Sequence, residues 1–165
     1  TNWGFDFSAD DWNGRKIEER FSIFSHYYKD MNRLCQTGLF HLVAHPDLIK
    51  IFSIEVFRQW LDTPQALPLI KKALGIMKDR GMIMEISSAG LRKPCREVYP
   101  GPRIMELAAQ MELPVCFASD AHCINTPAHA FEELARYAAR FGYRESCIVV
   151  QGETQRIPFT SPSIL

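Results

Sequence analysis

Apolar positions in the first third of the chain recur at helical spacing: Ile17, Phe21, Phe24, Tyr28, Met31 and Cys35 form one stripe. This predicts a long amphipathic helix running to about Thr37, with Gly38 suited to its C-terminus. Leu39 to Ala44 reads as a buried strand, and Pro46 to Trp60 as a loop with a helical turn or two. A second helix opens at Thr63-Pro64, carries the stripe Ala66, Ile70, Ala73, Leu74 and Met77, and ends at Gly81. Pro68 falls in its first turn, where a missing N–H is tolerated. Met82 to Ile86 is the next strand, and Ser87 to Gly101 a long polar loop, a length usually kept for function. Pro102 starts a third helix, followed by the strand Val115 to Ala118. A fourth helix (Phe131, Leu134, Ala135, Ala138, Phe141) leads to the strand Ser146 to Val150, and the tail after Gly152 has no clear periodicity.

The order is α-β-α-β-α-β-α-β with short, almost wholly apolar strands. Such strands belong in a parallel sheet, because each crossover needs a helix to return the chain. The fold class is therefore α/β, with the four strands as parallel neighbours and the helices on one side.

The candidate chemistry lies where strands end. Pro114-Val115-Cys116-Phe117 runs into Ala118-Ser119-Asp120-Ala121-His122, and Leu42-Val43-Ala44 into His45-Pro46-Asp47. In barrel-like α/β folds the C-terminal ends of strands carry the chemistry. A carboxylate and imidazoles delivered to one rim suit a divalent Zn, Mn or Fe. Singly, Asp120 reads as a cap and His45 and His122 as ordinary loop histidines; together on one rim they form a candidate metal or catalytic set. His41 shares a face with His45; a core histidine at the strand start is expected, with a further ligand or a residue supporting one as the alternative. Glu85 lies inside a strand, where a carboxylate is costly to bury unless it is paired or metal-bound. In the loop that follows, Arg92 and Lys93 are candidates to hold a phosphate, by bidentate contact and as a point charge respectively. Lys50 is a weaker candidate of the same kind.

Composition narrows the field. With 165 residues, 47% of them apolar, the chain has enough for one domain with a proper core. Nineteen Lys and Arg balance nineteen Asp and Glu, so charge gives no support for nucleic acid or a membrane surface as partner. No apolar run reaches the roughly 18 residues of a membrane span. Five cysteines without C-x-x-C spacing fit a reduced, cytoplasmic setting, with Cys116 and Cys147 as small core residues.

Four spaced segments carry a family resemblance: Val43-Ala44-His45-Pro46-Asp47-Leu48-Ile49-Lys50, Glu85-Ile86-Ser87-Ser88-Ala89-Gly90-Leu91-Arg92-Lys93-Pro94, Tyr99-Pro100 and Ser119-Asp120-Ala121-His122. Taken in order, they closely resemble the histidinol-phosphate phosphatases of the PHP (polymerase and histidinol phosphatase) superfamily. Trp3-Gly4-Phe5-Asp6 is similar to the segment that follows that family's Ser-Val-His motif. The departures are Ala44 for the usual Gly, Ser87 for Asn, and His41 for Asp.

The resemblance implies a distorted (β/α)7 TIM-like barrel with up to three divalent metals (Zn, Mn or Fe) at the strands' C-terminal rim. It also implies hydrolysis of L-histidinol phosphate to L-histidinol and phosphate, in histidine biosynthesis. By the family pattern Asp120 would ligate the first metal and His122 the third, both with a catalytic role. His45 would share the second metal with an upstream Glu and His. The family's His-x-His, next His, bridging Glu and Ser-Val-His would all precede residue 1. On this reading residues 1–165 are the C-terminal portion of a single PHP domain, inactive alone, with an exposed parallel edge as an association liability. Two other readings stay open: an accessory or proofreading PHP module of a DNA polymerase, and a non-catalytic remnant acting as a scaffold.

Overall fold

The computed structural model describes residues 4–159. Thr1 to Trp3, including the first residue of the Trp3–Asp6 segment, and the end of the tail lie outside the described residues. The predicted helices form where their stripes require. Helix α1 (Ile17–Gln36) buries Phe24, Tyr28, Met31 and Cys35, and Gly38 stands just beyond it with φ 71°. After a short 3-10 turn at Leu48–Lys50, the expected helical turns become a true helix, α2 (Ile54–Leu61). Helix α3 (Ala66–Asp79) sinks Ile70, Ala73, Leu74 and Met77, and α4 (Pro102–Gln110) begins on the expected proline. Helix α5 (Phe131–Arg140) follows.

Strands β1 (Leu42–Val43), β2 (Ile83–Ser87) and β3 (Val115–Ala118) form a parallel sheet in the order β1-β2-β3. Leu42 pairs with Ile83, Met84 with Val115, and Glu85 with Cys116. Alternation splits the sheet into two faces. Val43, Met84, Ile86 and Val115 join the large core with residues of the five helices, including Phe24, Phe57, Leu74, Ile104 and Leu134. Each fully buried aliphatic side chain there contributes about 1.5–3 kcal/mol. Ile83 and Cys116 face the other way and pack with Cys147 and Leu42.

Three expectations need correction. The first strand is much shorter than Leu39 to Ala44, because Leu39 and Phe40 are apolar but exposed. His41 is likewise exposed and not a core residue; it sits at the opposite end of β1 from His45. The fourth strand, β4 (Glu145–Val150), does not join the parallel ladder. It pairs antiparallel with β5 (Glu153–Pro158), so part of the tail is ordered as a hairpin. The two linking residues, Gln151 (φ 52°) and Gly152 (φ 84°), are both left-handed, the backbone of a tight hairpin turn whose twist matches the strands. Cys147 still packs beside Cys116, so β4 lies against the sheet without hydrogen-bonding to it in register.

Candidate active site at the strand ends

At the end of β1 the chain turns sharply at His45, whose φ of 27° lies in the left-handed region that side chains normally avoid. At the end of β3 Asp120 does the same, with φ 48°. Non-glycine residues held this way concentrate at functional sites, where surrounding structure offsets the strain. Both residues are partly buried, and the His45 ring lies edge-on to Tyr99 at 6.3 Å.

Between them on β2 stands Glu85, buried and in register with Cys116. Burial pushes its carboxyl above the ordinary range; His45, through its imidazole and its main-chain N–H, pulls the other way, and the Asp120 charge adds to the rise. Glu85 is therefore the electrostatic link between the ends of β1 and β3. Burial first, with Glu85 and Cys147 adding to it, also pushes the Cys116 thiol up to about 12, so that it stays protonated and unreactive.

Arg92 closes the rim from the loop after β2. Its Nη2 donates to the Ser119 carbonyl at 2.6 Å and the Asp120 carbonyl at 3.4 Å. His122 is 81% exposed; its Nδ1 donates to the Asp120 carbonyl at 2.9 Å, leaving Nε2 outward. Three buried polar atoms of this neighbourhood have no hydrogen-bond partner: His45 Nδ1, Glu85 Oε1 and Arg92 Nη1. Buried polar atoms are nearly always paired, so three orphans on one rim call for a ligand or ordered solvent. An imidazole nitrogen, a carboxylate oxygen and a guanidinium edge are chemically the donors that a divalent cation and a phosphate would engage. Among the described residues no group of three or more His, Cys, Asp or Glu converges closely enough to hold a metal ion.

The remaining expected phosphate contacts divide. Lys93 is exposed beside Arg92. Lys50 is fully buried, and its ammonium bonds Asp47 Oδ2 at 2.7 Å, Glu97 Oε2 at 2.7 Å and the Val98 carbonyl at 3.0 Å. Its three protons are all engaged, so as seated it offers none to a phosphate. Its partners Asp47 and Glu97 were not singled out by the sequence. The Asp47–Lys50 spacing of three residues was a readable signal, whereas Glu97 lies too far along the chain to be seen.

No helix among the described residues is long and apolar enough to cross a membrane, and no family model matches the chain. Two curated proteins are similar to it. One, from Deinococcus radiodurans and named probable histidinol-phosphatase, is 33% identical over 125 residues, covering 73% of this chain and 43% of its own length. Another of the same name, from Schizosaccharomyces pombe, is 24% identical over 155 residues, covering 89% of this chain and 49% of its own length. The chain thus spans somewhat under half the length of the curated relatives it matches.

Proposed function

We propose that this chain supplies part of the active site of a metal-dependent phosphomonoester hydrolase, a histidinol-phosphatase acting on L-histidinol phosphate, and that its sheet is a section of a TIM-like barrel. The observation that carries the reading is the set of orphaned polar atoms on His45, after β1, Glu85, on β2, and Arg92, which reaches from the loop after β2 to the end of β3 at Asp120. The names of the two relatives supply the substrate class.

In this reading His45, Asp120 and His122 are metal ligands, completed by donors outside the described set. When bound, divalent cations there supply Lewis-acid polarisation of the phosphoryl group and a more acidic water. The chain's own contribution is orientation. Arg92 is anchored by Nη2 to the end of β3 and keeps Nη1 unpaired, and in this reading that guanidinium edge grips phosphate oxygens in fixed geometry. Lys93, exposed beside it, adds a second positive charge. The balanced formal charge lends nothing to a polynucleotide substrate.

The test is phosphate release from L-histidinol phosphate, comparing the whole protein that carries this chain with residues 1–165 alone, each with added Mn, Zn or Fe. Metal-dependent release by the whole protein and negligible release by the 165-residue chain is expected. No release by the whole protein with any of these metals would overturn the reading.

A further inference from the structure

The buried Lys50 sits between the two loops that carry the rim. On one side it holds Asp47, two residues after His45, whose Oδ2 also accepts the Gly101 N–H at 2.8 Å. On the other it holds Glu97 and the Val98 carbonyl, on the returning leg of the loop that bears Arg92, and it lies 5.1 Å from the Tyr99 ring centroid. That leg is pinned to the end of β2, since Ser87 N–H donates to the Tyr99 carbonyl and Tyr99 N–H to that of Ser87.

The two legs also touch near the loop tip. Gly90 lies so close to the Glu97 carbonyl that an added Cβ would stand 1.9 Å from its oxygen. Two residues beyond Gly90 is Arg92. Arg58 adds a second grip on the Glu97 carboxylate from α2 at 3.1 Å.

We infer that Lys50 and Glu97 are positioning residues: the ion pair between the buried ammonium and the half-buried carboxylate fixes the Gly90–Glu97 contact and so aims Arg92 Nη1 at the phosphate, without either side chain touching substrate. The inference rests on the reading of Arg92 as a phosphate contact. Its basis is geometric. A lysine with all its protons engaged and no exposed surface has nothing left for a ligand, yet it ties together the segments after His45 and after Arg92. A loop eleven residues long between Ser87 and Tyr99 needs such a tie to hold a guanidinium to the sub-ångström placement that catalysis demands.

The experiment is a double-mutant cycle in the whole protein. Glu97→Gln removes the charge and keeps an acceptor; Arg92→Ala removes the aimed group; Lys50→Met breaks the tie from the other side. In the Arg92 background, Glu97→Gln is expected to raise both KM for the phosphomonoester and the inhibition constant of inorganic phosphate by about tenfold, within the range of effects of small misplacements. In the Arg92→Ala background it should raise neither further, while lowering the melting temperature equally in both. Equal increases in the two backgrounds, or a fall in melting temperature with both constants unchanged, would overturn the positioning role. Should Lys50→Met fail to fold, the Glu97→Gln arm stands alone. If the wild-type protein hydrolyses no phosphomonoester, the proposed function fails separately. The Arg92 side-chain NMR resonances then decide the positioning claim: a shift in Glu97→Gln supports it, and an unchanged spectrum refutes it.

Discussion

Asp47, Lys50 and Glu97 show how burial sets charge at single residues. Burial pushes Asp47 up from the ordinary Asp range, against the pull of Lys50 and of the Gly101 N–H. Glu97 is buried less, so Lys50 and Arg58 outweigh the desolvation and hold its carboxyl below the ordinary Glu range. A carboxyl lowered on folding adds stability above its unfolded value and loses it as pH falls through the folded one. Glu97→Gln should therefore be less stable than wild type at neutral pH and lose less on acidification below the ordinary Glu range, measured by urea midpoints across that window. Parallel curves for the two proteins would contradict this. Removing Lys50 leaves the buried Asp47 carboxylate without its counter-charge, and Lys50→Met should cost about 3–5 kcal/mol in the same assay. Gly90→Ala must push against main chain, and about 3 kcal/mol is expected, at the upper end of overpacking.

Elements were legible in proportion to their periodicity. The stripes Phe24–Tyr28–Met31–Cys35 and Ile70–Ala73–Leu74–Met77 pack against one core and are the helices expected. The first strand is shorter than its apolar run because Leu39 and Phe40 are apolar without being buried; apolar residues contribute much of any folded surface. Strand β5 was invisible because Glu153 to Pro158 is exposed throughout and has no apolar alternation, although Gln151-Gly152 is a fitting two-residue turn. At the site, strand ends placed His45 and Asp120 correctly at the ends of β1 and β3, but Lys50 could not be read as buried, since its partner Glu97 comes from another loop. The β4–β5 hairpin leaves Ile148, Val149, Val150 and Ile157 each more than 40% exposed, an edge prone to pairing. Val149→Lys should reduce concentration-dependent association of the 165-residue chain in sedimentation velocity. An unchanged profile would clear the hairpin of that role.

At the scale of the whole molecule, helices on one face of a parallel sheet leave the other face lined by Ile83, Glu85 and Cys116, and the strand ends gather His45, Asp120 and Arg92. In the proposed function those residues act together on a phosphate. Its most direct test is phosphate release from L-histidinol phosphate by the whole protein and its Asp120→Asn variant, at equal metal and with matching melting curves. Asp120→Asn keeps the shape of the β3 end while removing the charge of the proposed ligand, so a loss of at least about a hundredfold in kcat/KM is predicted, by analogy with other losses at a metal site. Near-normal turnover by the variant would remove Asp120 from the chemistry and contradict the assignment of the rim as the active site.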